Sequence, residues 1–78
     1  MGQVERAIEF YQQALSISQE IGDRRGEGAD LGNLGNAYSN LGQVERAIEH
    51  MERSIAIFDE IKSPNAKVVR GWLEQLRE

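Results

Sequence analysis

Gly42-Gln43-Val44-Glu45-Arg46-Ala47-Ile48-Glu49 repeats, letter for letter, the segment Gly2-Gln3-Val4-Glu5-Arg6-Ala7-Ile8-Glu9, at a spacing of 40 residues. A period between about 20 and 50 residues marks a unit that cannot bury its own apolar face and must stack on copies of itself. Function in such a chain is expected on a stacked surface rather than in a catalytic pocket.

Beyond the first copy the apolar pattern continues through Val4, Ala7, Ile8, Tyr11, Ala14, Leu15, Ser18 and Ile21. This three-four spacing describes one face of a helix over residues 3–21. Gly22 is placed to end it in the left-handed region, and Asp23 to cap the next helix, so two residues reverse the chain. The second helix, expected over 24–41, holds Gly26, Gly28, Gly32 and Gly35. Each interior glycine costs about 0.8–1 kcal/mol relative to alanine. The helix must therefore be held by packing, through Leu31, Leu34, Ala37, Tyr38 and Leu41, and its glycines allow close backbone approach. Gly42 stops it, and residues 44–61 repeat the first helix with Val44, Ala47, Ile48, Met51, Ser54, Ile55, Phe58 and Ile61 on the inner face. Ser63 as cap and Pro64 in the first turn open a fourth helix to about Arg77. Val68, Val69, Trp72, Leu73 and Leu76 form its expected inner stripe, and a polar outer side suits the end of an array.

Composition narrows the function classes. Thirteen acidic against nine basic residues, a net charge of −4, leave no cationic footprint for a nucleic acid. The absence of cysteine excludes a disulfide framework, thiolate zinc sites and a thiol nucleophile. No apolar run approaches a membrane span, and a cytoplasmic location is the expectation. The lone His50 lacks a second histidine or a nucleophile with an acidic partner, and it stands where the first copy has Phe10; it reads as an ordinary surface residue. Glu49/Arg53 reads as a helix-surface ion pair, whereas Glu20/Arg24 spans a turn. No metal site, cofactor site or enzyme machinery is expected.

The quoted positions resemble the tetratricopeptide repeat, whose pattern is W-x2-L-G-x2-Y followed by A-x3-F, A and P. Here it reads Leu31-x2-Leu34-Gly35-x2-Tyr38 and then Ala47-x3-Met51-x2-Ser54, with Ala7-x3-Tyr11-x2-Ala14 in the first copy. The 40-residue unit and the phrase from Ile21 to Gly28 are similar to the long-helix subclass of kinesin light chains and of polarity adaptors that bind G-protein signalling partners. Leu31 replaces the family's Trp, Asp59 its Pro, and Gly71 falls one period after Leu31. The resemblance implies an all-α fold of antiparallel helical hairpins stacked as a right-handed solenoid, four helices in the order B-A-B-A. In it, residues 1–22 form a half repeat, 23–62 a full repeat and 63–78 a capping helix, the C-terminal part of an array.

In such repeats the A helices line the concave face. Three-four spacing on the side of the second helix away from Leu34 and Tyr38 then gives Arg25, Ala29, Gly32, Asn33, Asn36 and Asn40 as peptide-binding candidates. An asparagine amide offers one acceptor and two donors to an extended backbone, and Ala29 and Gly32 let that backbone approach. The family often places a ligand-binding asparagine at the position of Asn36, and Arg25 is a candidate for an acidic ligand group. The expected partner is a peptide segment of another protein. The alternative is a homodimer or packing segment: Ile8, Tyr11 and Leu15 of the first helix are expected partly bare, to be covered by a second copy through helix pairing or exchange at Gly22 or Lys62-Ser63.

Overall fold

The computed structural model describes residues 2–78, so Met1, expected to open a half repeat, lies outside the described residues. Four helices follow in order: α1 (Gln3–Ile21), α2 (Arg24–Asn40), α3 (Val44–Glu60) and α4 (Asn65–Arg77). One turn chemistry joins all of them. Gly22 adopts φ 74°, and the Asp23 N–H donates back to the Ser18 carbonyl at 2.8 Å. Gly42 at φ 80° and the bond from Gln43 N–H to the Tyr38 carbonyl, 2.9 Å, close α2 in the same way. At the third turn Lys62 takes the left-handed place, φ 57°, and Ser63 N–H reaches the Phe58 carbonyl at 2.7 Å. Each six-residue closure satisfies carbonyls that a helix end leaves open.

The starts of α2 and α4 have a side-chain acceptor on an early N–H, whereas α1 and α3 begin without a side-chain cap. The Asp23 carboxylate accepts from Gly26 N–H at 2.9 Å, and the Ser63 hydroxyl from Asn65 N–H at 3.2 Å. Regular helix in α4 begins at Asn65, just after Pro64, while α2 and α3 end one residue short of the expected positions.

The glycine-rich α2 lies between α1 and α3, and α4 packs on α3 with a lighter contact to α2. Leu31, Leu34 and Tyr38 are buried. One core joins Ile8, Leu34, Ala37, Tyr38 and Ala47; a second joins Met51, Phe58, Ala66, Val69 and Leu73, and Leu76 touches both. On the α3 side, Ser54 is wholly buried and its hydroxyl donates to the Gly28 carbonyl at 2.7 Å. Between the helices that flank it, Tyr38 accepts from the Gln12 amide at 3.2 Å and carries the His50 ring at 5.0 Å. His50 is thus half-buried, with Nδ1 2.8 Å from the Arg46 carbonyl, rather than a free surface residue.

Several expected inner-face residues are exposed. Ile21, Val44 and Val68 face solvent, whereas Ile57, outside the expected stripe, is buried. Gly71 is exposed where Leu31, one period earlier, is fully buried, so α4 does not keep the 40-residue register of α2. The Glu49/Arg53 pair does not form among the described residues. Arg24 turns from Glu20 to Glu27 and Glu60, because Gly22 breaks the helix between residues 20 and 24. Arg70 with Asp59 and Arg77 with Glu52 tie α4 to α3 across solvent, contacts individually worth little.

Asp30, facing α1, has its acidity weakened: burial raises its pKa, and the Ser18 hydroxyl donating at 3.1 Å only partly offsets this. The folded chain then keeps a proton over a pH range in which the unfolded chain has lost it. Stability from this group is therefore fully present below the ordinary aspartate pKa, about 3.9, and is lost as pH rises through the raised folded value. Asp30→Asn keeps an acceptor for Ser18 without the charge. Thermal melts between pH 3 and 7 should show the variant gaining on the native chain as pH rises; a constant difference across the series would rule out this origin.

Candidate peptide-binding face

α2 presents the candidate residues along its length, and its neighbours divide them. Gly32 and Asn33 sit at the floor and edge of a hollow of about 190 Å³ between α2 and α4. Ala29, Phe58, Asn65, Val68, Val69 and Trp72 complete it, so its walls are mainly apolar with two amides at the margin. A second hollow, of about 210 Å³, lies between α1 and α2 and is lined by Asn33, Asn36 and Asn40 with Gln3, Val4, Ala7, Tyr11 and Ala37. Asn33 borders both.

The expected stripe is therefore two half-sites that share one asparagine. Gly32 is buried, and its role is clearance: a Cβ there would stand 3.1 Å from the Ser54 hydroxyl and 3.4 Å from Val69 Cγ2. Asn36 and Asn40 are exposed and Asn33 is half-buried. None of the three amides makes a hydrogen bond among the described residues, leaving their donors and acceptors available to a ligand. Arg25 is exposed, borders neither hollow and makes no ion pair among the described residues.

Sequence reasoning missed the far wall of the α2–α4 hollow. Val68 and Trp72 were expected to point into the core; Val68 is 51% exposed and Trp72 half-buried, and both turn toward the groove. The signal lay in α4 itself, where Ala66, Val69 and Leu73 make a complete buried stripe that leaves Val68 on its flank.

The self-association residues differ as well. Ile8 is 8% exposed and belongs to the α1–α2 core, so it is not bare; Tyr11 and Leu15 are half-buried against that core. α1 instead exposes Phe10, Ile17 and Ile21.

Among the described residues no cluster of His, Asp or Glu is arranged to hold a metal ion. No helix there is long and apolar enough to cross a membrane. No curated protein and no solved structure gives a significant match. The family model described as Tetratricopeptide repeat matches residues 1–60, spanning both octapeptides and the whole of α2. With the match covering most of the chain, and with α2 held between two repeated helices as that architecture requires, the chain belongs to the tetratricopeptide repeat family.

Proposed function

We propose that the α2–α4 hollow takes an apolar side chain from a peptide segment of another protein, while Asn33 and Asn36 hold the adjoining peptide groups. Tetratricopeptide repeats generally mediate protein–protein interaction and typically act as non-enzymatic scaffolds. The observation that carries the reading is the meeting of an apolar hollow with unpaired amides at Asn33. An apolar anchor in a pocket with a few polar groups fixing orientation is the usual chemistry of peptide recognition. Arg25 lies beyond both hollows and could meet only a ligand group that extends past the N-terminal end of α2. The 40-residue period supports kinship with the long-helix subclass.

Peptides selected from a random displayed library against the native chain provide the probe. Asn36→Ala is expected to weaken the selected peptides by about 1–3 kcal/mol, the scale of a buried polar group left without its partner. Its melting temperature should stay within a degree or two of the native value, because the residue is exposed. Equal affinity for both chains by calorimetric titration would reject the amide contact.

A further inference from the structure

Asn65 stands at the start of α4 with its side chain unspent. Asparagine is favoured at a helix start as the cap whose own oxygen accepts an early N–H. Here that task falls to Ser63, whose hydroxyl accepts from the Asn65 N–H at 3.2 Å. The next donors are satisfied too: Ala66 N–H reaches the Ser63 carbonyl at 3.4 Å, and Lys67 N–H the Pro64 carbonyl at 3.1 Å. What the start of α4 leaves open is the Asn65 side-chain amide, exposed and without a hydrogen bond among the described residues.

That amide borders the α2–α4 hollow on the wall opposite Asn33. All the lining residues belong to α2, α3 or α4, and all are uncharged. Neighbouring helix axes stand about 8–10 Å apart, the length of about three extended residues. A chain laid from one rim to the other thus has a single residue over the hollow and a peptide group beside each amide. An asparagine side chain can accept from the N–H of such a group or donate to its carbonyl. A chain terminus over the same hollow would bring a charge against walls with nothing to pair it, which is costly. Resting on the reading that the hollow seats an apolar anchor, we infer that the ligand is an internal, extended segment crossing from α2 to α4, with Asn33 and Asn65 each holding the peptide group on one side of the anchoring residue.

The test uses a library-selected peptide whose anchoring residue has been found by alanine replacement. In calorimetric titration Asn65→Ala is expected to bind it at least fivefold more weakly than the native chain does. The melting temperature should stay within about a degree or two of native, because the residue is exposed. Replacing the peptide bond on either side of the anchor by an ester removes its N–H and weakens its carbonyl as an acceptor. Each replacement should weaken binding to the native chain several-fold, and one of the two should leave Asn65→Ala and the native chain equal in affinity, the mark of a direct contact. Cutting the peptide next to the anchor, which sets a free charged end over the hollow, should cost at least tenfold on either side.

Equal affinity of the uncut peptide for both chains overturns the inference. So does a loss on Asn65→Ala that persists undiminished with both esters, which marks a reshaped hollow, or a cut peptide that keeps its affinity. If Val68→Glu abolishes binding while Asn65→Ala does nothing, the hollow stands and only the crossing pose falls. A library that yields no binder, or binders indifferent to Val68→Glu, removes the hollow as the peptide site and this inference with it.

Discussion

Gly35→Ala is expected to destabilise the chain by about 2 kcal/mol, a fall of about 8–16 °C in melting temperature for a domain of this size. Helix propensity argues the other way, since alanine at an interior helix position is favoured over glycine by about 0.8–1 kcal/mol. Geometry decides the sign. A Cβ on Gly35 would lie 2.6 Å from Met51 Cγ, 3.1 Å from the Ala47 carbonyl oxygen and 3.3 Å from the Met51 amide nitrogen. Met51 is 1% exposed and Cγ is near the root of its side chain, so rotation at the tip gives no relief. The other two atoms belong to the α3 backbone. The helix would have to back away, also loosening Gly28 from the Phe58 ring and stretching the bond from Ser54 to the Gly28 carbonyl. Gly71→Ala is the matched control: a Cβ there has nothing within 4 Å, so the same change should raise the melting temperature by several degrees. Circular-dichroism melts of both variants check the pair. If Gly35→Ala melts at or above the native chain, the close approach of α2 to α3 is refuted.

That contrast bears on how far the sequence could be read. The four helices, the left-handed turns at Gly22 and Gly42, and the burial of Leu34 and Tyr38 follow from local spacing and backbone chemistry. What local spacing cannot convey is which flank of a helix has a neighbour. Ile17 and Ile57 occupy the same place in the same repeated helix and differ only because α2 covers one of them. The expected stripes therefore included Ile21 and Val44, which are exposed, and omitted Ile57. The candidate site was legible to the same depth. A three-four stripe found Asn33, Asn36 and Asn40, but their division between two hollows is a property of how α1 and α4 flank α2. The α4 wall was hidden by register: counting one period from Leu31 lands on exposed Gly71, not on a buried position.

Val68→Glu should have the largest effect on binding and almost none on folding. The residue is 51% exposed in the free chain, outside the buried stripe of Ala66, Val69 and Leu73, so glutamate there can stay hydrated and is the better helix former. Its melting temperature should stay within a few degrees of native. In the complex the same position forms a wall of the hollow beside Trp72, Phe58 and Gly32, and an apolar anchor seated there would strip water from the new carboxylate. Desolvating an unpaired charge costs several kcal/mol, and Lys67, next in sequence, is exposed on a different side of the helix from its neighbour. We expect affinity for the library-selected peptides to fall at least a hundredfold, about 2.7 kcal/mol. Trp72→Ala is a poorer probe, because Trp72 also packs on the Met51–Phe58 core and its loss would mix unfolding with binding. The comparison with Asn36→Ala then orders the two halves of the site. If Val68→Glu abolishes binding while Asn36→Ala weakens it moderately, the hollow anchors the ligand and the amide aligns it. If Val68→Glu binds like the native chain, the ligand does not enter the α2–α4 hollow, and the response to Asn36→Ala then tells whether it sits in the α1–α2 hollow instead.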